Sequence, residues 1–595
     1  MKRLNKMQYI WFLLKPYIKY GRFYMFVQMA VAVVLGPIAS VLAVRLPEYV
    51  INAIMYEHPT RQLITTITLF TLGIAVVHVL RFVIDNVYGS PVRQKISYKI
   101  SQDVHEKALH TDLKHYDSPD FYAKYTFTDQ QFAGQAGMAS RMVPSTLQSL
   151  ITAITMGALI AQTGPVLMLI TFVFVGAQTL LTFPTTKANA ALMLDINEVS
   201  RPMLYIRRII QERENAMEMR ASSLGTKVLR NFETAKDNFD SVFGKYLRKV
   251  MKFEVARGFL SPIQNALMML YLVIFVVAGD RYMLGTYTML YAAAGMLVAN
   301  ISGVFSTFSE AHRMLTGGEN IARFFETESI IEPPEANVDK PVAPDGLLSV
   351  EIHNVSFSYD NSPFSIKGLN LKIPAGGRIA IVGENGGGKS TLTKLLLRMY
   401  DVDEGTILIN GRDIRDFDVH SLRHKIGIAY QDVRVMALSL RDSLTAYHDI
   451  DDDELCKVAT KLGLGDVLEK IDNNLDTMLS REFSKDGIML SGGQAQRMTL
   501  ARLFTGHFGL LLLDEPSSAL DPLAEYNLMK IILDKANTAT TIMIAHRLSI
   551  VRDFDMIYHV DNGKIIESGT HDTLMSAKGK YYDMFVRQGE SYTRN

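Results

Sequence analysis

Up to about residue 325 the chain alternates between long uncharged stretches and charged connections, and then it changes character. Phe23 to Val44 contains no Asp, Glu, Lys or Arg. A helix of that length rises far enough to cross about 30 Å of hydrocarbon. Similar runs recur at 63–80, 142–162, 165–184, 259–279 and 285–308, so six spans are expected with the first at 23–44. The connections alternate in length and charge. The segment between spans two and three carries Arg81, Arg93, Lys95, Lys99, Lys107, Lys114, Lys124 and Arg141, and the one between spans four and five is longer and also basic. The other connections are short. Excess Lys and Arg marks the cytoplasmic side, which places the N-terminus, both long loops and the C-terminal half there.

Both long loops keep a helical apolar period broken by local turn signals, so the flanking spans are expected to continue as helices into the cytoplasm. Asp117–Tyr122 and Arg213–Glu218 are the candidate turns, with ordinary surface loops as the alternative. Ahead of the first span, Lys6, Lys15, Lys19 and Arg22 lie among Ile10, Trp11, Phe12, Leu13, Leu14 and Ile18. This is the pattern of a basic amphipathic helix on a membrane surface, with Trp11 at headgroup level. No cleavable signal peptide is read. Inside the spans, Gln28, Gln148, Gln178, Gln264, Asn265, Asn300, Ser302 and Ser306 are expected to face the bundle or a wet cavity. Gln264, Asn265, Met296 and Asn300 are the candidates for a cargo cavity. The many span methionines suit either an adaptable ligand surface or the filling of gaps between helices. Arg45, Glu48, His78, Arg81 and Asp85 read as charges at helix ends rather than as a proton relay.

Glu326–Gly346, with Pro333, Pro334, Pro341 and Pro344, reads as a linker. Beyond it the period shortens. Leu348–Ile352, Val355–Tyr359, Arg378–Val382, Thr406–Ile409, Ile426–Tyr430, Leu510–Leu513 and Thr541–Ala545 are apolar runs of strand length. Asn410-Gly411 and Asp561-Asn562-Gly563 mark tight turns. Buried strands alternating with helices imply an α/β nucleotide-binding fold. The expected architecture is therefore a six-helix all-α transmembrane bundle with long cytoplasmic extensions over 1–326, a linker over 327–347 and an α/β domain over 348–595.

Composition adds three limits. A net charge of +1 offers no basic signal for nucleic acid. The single cysteine, Cys456, rules out an intrachain disulfide and a cysteine metal cluster, and reads as a packing thiol. Hydrophobic content of 48% would suit a soluble protein, and only its concentration in the first half argues for a membrane.

The chemistry centres on Gly383-Glu384-Asn385-Gly386-Gly387-Gly388-Lys389-Ser390-Thr391. It fits the loop G-x-x-x-x-G-K-[ST], preceded by a strand and followed by leucines at helical spacing. Glycines let backbone N–H groups curl around a polyphosphate. The helix start adds positive potential, Lys389 a mobile charge and Ser390 a hydroxyl for Mg²⁺. Asp514, at the end of a buried strand, is placed to hold Mg²⁺ directly or through water. Glu515, pointing the other way, is placed to orient or deprotonate an attacking water, and His546 to meet the γ-phosphate. Taken alone, Asp514-Glu515 would also suit a helix N-cap.

Leu490-Ser491-Gly492-Gly493-Gln494, between the loop and Asp514-Glu515, completes a set that resembles the ABC transporters, specifically an exporter-type half-transporter. The resemblance covers the whole length and implies a P-loop ABC ATPase domain. It implies that Tyr359 stacks on adenine and that Gly383 to Ser390 hold the phosphates, with Thr391 in support. Gln431 would sense Mg²⁺ and the attacking water. Ser491, Gly492, Gly493 and Gln494 would bind ATP on a partner subunit, and Asp521 lies in the loop that couples the two sites. The two cytoplasmic turns would be coupling helices. Each ATP would lie between two chains. With every catalytic motif intact, a homodimer is favoured over a heterodimer. The implied function is ATP-driven export of an amphipathic molecule (a peptide, drug-like or lipid-like cargo). A lipid flippase and a nucleotide-gated channel or sensor are the alternatives. Two departures stand out. Gly387 replaces the usual Ala, Ser or Cys, and the segment Ser480–Gly487 looks loosely like that of Gram-positive exporters of modified peptides. No peptidase domain precedes the spans, so leader cleavage is not expected.

Overall fold

The computed structural model describes residues 6–593 except 164, 279–283, 333–339, 360–364, 385, 432, 446–449, 483 and 517–521. The chain folds as two compact units, one drawn from residues 1–109 and 119–327 and the other from 110–118 and 328–595.

The first unit is helical. Its elements are α1 (Lys6–Tyr20), α2 (Arg22–Met55), α3 (Thr60–Leu109), α5 (Pro119–Thr163), α6 (Pro165–Gln211), α7 (Arg213–Ala221), α8 (Leu224–Ala278) and α9 (Leu284–Phe325). Among the described residues, five helices are long and apolar enough to cross a membrane: α2, α3, α5, α6 and α9. The span expected at 259–279 is the last part of α8 and ends outside the described residues. α5, α6, α8 and α9 run for 45, 47, 55 and 42 residues. At 1.5 Å per residue each is roughly two to three times the thickness of a hydrocarbon core, so each is longer than a span requires. α7 matches the second expected turn.

α1 buries Leu13, Leu14 and Tyr17 against Ile96 and Ile100 of α3, Phe132 of α5 and Phe324 of α9. Trp11, on the other face, is 61% exposed, as an interfacial anchor would be. A second cluster joins Val44, Met156, Leu167, Met268, Met289 and Leu290. Met156, Met268 and Met289 are thus gap fillers, while Met269 is exposed. Gln178 Nε2 donates to Gln264 Oε1 at 3.2 Å and ties α6 to α8. Gln264 is consequently buried, whereas Asn265 is exposed. Arg45 pairs with Glu48 at 2.8 Å, and Arg81 donates to Gln148 at 3.1 Å. α2 and α3 each contain one turn of π-helix, at Val31–Leu35 and Val83–Tyr88, which the sequence reading did not anticipate.

The second unit contains two sheets. One is antiparallel, in the order β2-β1-β4-β5, from β1 (Val350–Ser358), β2 (Ser365–Ile373), β4 (Glu404–Ile409) and β5 (Arg412–Asp413). The two strands expected at 348–352 and 355–359 are one strand with a register break, where Asn354 adopts a left-handed φ of 49°. The other sheet runs β10-β9-β3-β8-β7-β6, from β3 (Arg378–Val382), β6 (Ile426–Ala429), β7 (Leu510–Asp514), β8 (Thr540–Ile544), β9 (Met556–Asp561) and β10 (Lys564–Gly569). Its central strands β3, β8, β7 and β6 are parallel. Parallel strands covered on both faces need apolar residues throughout, and every residue of β6, β7 and β8 is buried. The turns at Asn410-Gly411 and Asn562-Gly563 both have two residues at positive φ, as two-residue hairpins require.

Segment 110–118 is part of this unit and holds the short helix α4 (Leu113–Tyr116). The first turn therefore begins earlier than 117–122, because Pro119 already opens α5, a position that suits its fixed φ. Asp112, fully buried, accepts the main-chain N–H groups of Ile330, Ile331 and Glu332 at 2.9–3.0 Å. Within the linker, the Pro341 carbonyl accepts from Asp418 N and Ala343 N donates to Ser421 Oγ. Pro333 and Pro334 lie outside the described residues. Cys456 packs at the edge of the core, and burial pushes its thiol up.

Candidate active site

Register brings three strand ends level. Ile381 of β3 pairs with Ile544 of β8, and Ile544 pairs with Asp514 of β7. The phosphate loop after β3, the carboxylates at the end of β7 and His546 just past β8 thus share one edge of the sheet. Ligands of α/β sheets bind outside the carboxyl ends of the strands, and this edge is such a place.

The loop is built on its glycines. Gly383, Gly386 and Gly388 have φ of 150°, 80° and 100°. A Cβ on Gly383 would meet the Val560 carbonyl at 2.0 Å, so only glycine fits there. Helix α10 (Lys389–Leu396) then starts with its N–H groups facing the loop. Lys389 is folded back, and its Nζ donates to the carbonyls of Gly383 at 2.9 Å and Glu384 at 2.8 Å. Burial pulls its ammonium down, against the raising pull of Glu515 and Asp514. Asn385 lies outside the described residues. Gly387 is a closer fit than its ordinary φ suggests. A Cβ there would stand 3.2 Å from the carbonyls of both Glu384 and Val560.

Tyr359 stands over α10, its hydroxyl 3.4 Å from that of Thr391 and the Lys394 ammonium 5.2 Å from its ring centroid. Its ring also meets Phe357 and Tyr400 edge-on.

Asp514 is 5% exposed, and its Oδ1 is buried without a hydrogen-bond partner. Burial pushes its carboxyl up, and the adjacent Ser390 hydroxyl acts against this. An orphaned buried carboxylate oxygen beside a serine hydroxyl is the donor set that a hard cation such as Mg²⁺ takes. Among the described residues no group of three or more His, Cys, Asp or Glu is placed to hold a metal, so such an ion would need substrate oxygens as well.

Glu515 has a left-handed φ of 49°, which is uncommon for a residue with a side chain. Its two oxygens are held from opposite sides. Gln431 Nε2 donates to Oε2 at 2.8 Å, and His546 Nε2 stands 2.5 Å from Oε1. The structure thus gathers Gln431, Glu515 and His546 into one group.

Ser491 caps helix α11 (Gly492–Ala501) in a capping box. Its Oγ accepts from Gln494 N at 3.3 Å, and Gln494 Oε1 accepts from Ser491 N at 2.9 Å. Gln494 Nε2 also donates to Asp466. Ser491 and Gly492 are exposed, and nothing lies within 4 Å of a Cβ placed on Gly492. Neither Ser491 nor Gln494 has a hydrogen bond to the phosphate loop among the described residues. Asp521 lies outside them.

Two residues near the site were not anticipated. Glu567 and Gln588 hold the two ends of the stretch 580–588, and Gln588 bonds to the main chain of His546. The one local signal was a glutamine continuing an otherwise apolar helix face.

Residues 366–518 match the family model described as ABC transporter. Among known proteins, the chain is 30% identical over 366 residues to the ATP-dependent lipid A-core flippase of Salmonella paratyphi A, covering 60% of this chain and 61% of that one. The flippase of the same name from Escherichia coli K12 is 30% identical over 368 residues, with the same coverage. The matched stretch thus spans about 61% of the length of these curated relatives. Among solved structures, a bacterial Atm1-family ABC exporter with ATP bound superposes with a TM-score of 0.76 at 22% identity, over 95% of this chain and 98% of that one. Residues 366–518 therefore form an ABC transporter domain, behind a helical region in which five helices among the described residues are long and apolar enough to cross a membrane, and the chain shares the fold of that exporter structure.

Proposed function

We propose that two copies of this chain form an ATP-driven exporter of an amphipathic molecule, with the ATPase domains on the cytoplasmic side. The observation that carries this reading is Glu515, held between Gln431 and His546 beside an orphaned Asp514 oxygen and the phosphate loop.

In this reading Tyr359 stacks on the adenine. The N–H groups from Gly383 to Thr391 cradle the phosphates, and Lys389 leaves the carbonyls of Gly383 and Glu384 to meet phosphate oxygens. Asp514, Ser390 and Gln431 hold Mg²⁺. Held there, Mg²⁺ would supply positive charge to offset the charge developing on the phosphate. Glu515 releases one oxygen from Gln431 or His546 and accepts the proton of the attacking water. His546 turns its Nε2 to the departing phosphate. Ser491, Gly492, Gly493 and Gln494 of one copy, with Asp521 nearby, close over the ATP of the other, which makes closure of the pair the power stroke. α4 and α7 serve as the coupling segments that transmit it. The exposed capping box at Ser491 supports the exchange, since a helix start with open N–H groups suits a phosphate brought by a partner.

The purified chain in lipid is expected to hydrolyse ATP and to accumulate cargo in inverted vesicles. Glu515→Gln should lower kcat by about 100-fold or more, the scale of a lost general base. Full turnover in that variant would remove Glu515 from its role. A second reading, lipid translocation, is favoured by the flippase relatives. Stimulation by lipids but by no peptide or drug would select it.

A further inference from the structure

The C-terminal helix α12 (Lys580–Thr593) is fastened to two sides of the site. Its first turn is capped from another element. Glu567 of β10 accepts from Lys580 N and Tyr581 N, each at 2.8 Å, and its Oε2 lies 3.4 Å from Nδ1 of His559. A carboxylate on the open N–H groups of a helix start is favourable both as an acceptor and against the helix dipole. His559, buried in β9, pairs with Val382, the residue before Gly383. One end of α12 is therefore tied to the strand that carries the phosphate loop.

Further along, the helix is tied to the main chain of His546. Tyr581 is fully buried, and Met584 and Phe585 pack against the same core. Gln588 continues that face, four residues after Met584. Its amide grips the loop after β8 with both of its atoms. Nε2 donates to the His546 carbonyl at 2.6 Å, and Oε1 accepts from Leu548 N at 3.0 Å. That loop has no regular secondary structure at 545–547 to fix these groups. The Gln588 amide matches the donor and acceptor of a peptide group, so it stands in for the missing ladder.

We propose that Gln588 is a positioning residue for ATP hydrolysis. By holding the main chain on both sides of Arg547, it fixes the root of the His546 side chain, from which the imidazole Nε2 reaches the Glu515 carboxylate in this structure and turns to the departing phosphate in hydrolysis. The assignment rests on the proposed function, because His546 acts in hydrolysis only in that reading. The physical requirement is strict. The imidazole–carboxylate contact is 2.5 Å, and a displacement of about 1 Å at a reacting group can cost on the order of 100-fold in rate. Nucleotide capture involves Tyr359 and the phosphate loop, which Gln588 does not touch. Hydrolysis should therefore depend on Gln588 while ATP binding does not.

The test uses the full chain in lipid nanodiscs. Gln588→Met keeps length and packing but removes both hydrogen bonds. Gln588→Glu keeps the acceptor for Leu548 N but sets a carboxylate against the His546 carbonyl. Both are expected to lower kcat about tenfold or more, with the KM for ATP within about twofold of wild type. In a His546→Ala background Gln588→Met should cause no further loss, because the two act on one step. Wild-type kcat in either variant overturns the proposal. So does an equal fold-loss with and without His546, the mark of a merely structural anchor. Amide exchange of wild-type protein needs no variant: Leu548 N–H is expected to be protected like sheet amides, and loop-like exchange overturns the proposal. A wild-type preparation without ATPase activity would instead overturn the proposed function itself.

Discussion

The Tyr400 hydroxyl donates to Oδ2 of Asp117 at 2.7 Å, while the Tyr400 ring meets Tyr359 edge-on at 5.3 Å. One side chain thus touches both Tyr359, proposed to stack on adenine, and the turn at 110–118. Burial, with Asp117 acting in the same direction, pushes the Tyr400 phenol well up, so it stays a donor at any working pH. Tyr400→Phe keeps the ring and removes only the hydroxyl. It should cost about 1 kcal/mol of stability, the net value of one such bond. ATP affinity should be kept, with a reduced ratio of cargo-stimulated to basal ATPase activity. An unchanged ratio would show that the bond only braces the turn.

Asp112 holds three main-chain N–H groups of the linker and is fully buried. Asp112→Ala leaves these donors without a partner and should destabilise the second unit by on the order of 3 kcal/mol, while Asp112→Asn, which keeps one acceptor, should fall between. Thermal unfolding and limited proteolysis near residue 330 measure this. Equal unfolding midpoints for all three proteins would refute it.

Burial pushes the Glu567 carboxyl up, but the N–H groups of Tyr581 and Lys580 and the nearby His559 outweigh it and leave the carboxyl below its ordinary value. A depressed carboxyl stabilises the fold above the unfolded value, about 4.3, and loses that contribution as pH falls through the folded value. Glu567→Gln should therefore unfold at lower temperature than wild type at pH 7, with the gap closing as pH falls below about 4. A gap that stays constant with pH would mean that charge plays no part in the cap.

At Gly387 the geometry leaves little room for a side chain. A Cβ would crowd two carbonyls at 3.2 Å, and Val560 cannot retreat freely because it sits in β9, which is hydrogen-bonded on both sides. Gly387→Ala should fold normally but raise the KM for ATP a few-fold through a displaced loop. An unchanged or lower KM would show that the loop yields by a few tenths of an ångström at no cost.

The sequence carried most of this site because its parts are local. Gly383 to Thr391 is nine adjacent residues, and Asp514, Glu515 and His546 each end an apolar run that reads as a strand. What joins them is not local. That β8 stands between β3 and β7 is a matter of pairing, and strand order leaves no trace in periodicity. Asp112 meets its partners some 220 residues later, and Gln588 meets His546 across 42. Neither pairing leaves a spacing to read. The turn at 110–118 begins before the signal for it, because Asp117-Ser118-Pro119 is a strong turn signal, whereas Asp112, whose role is tertiary, looks like any polar residue. The strand β1 looks like two in sequence because the apolar alternation breaks between Ile352 and Val355, where the register shifts at Asn354.

The π-turns at Val31–Leu35 and Val83–Tyr88 bear on how this chain can be compared with others. Each such turn inserts the equivalent of one extra residue into a helix. Every side chain beyond it is rotated about 100° from the position an uninterrupted α-helix would give. Deleting one residue from either turn would restore regular winding and rotate the side chains that follow by about 100°. Both helices carry this offset, so residue-by-residue transfer of positions from a relative with unbroken helices would assign the wrong helix face.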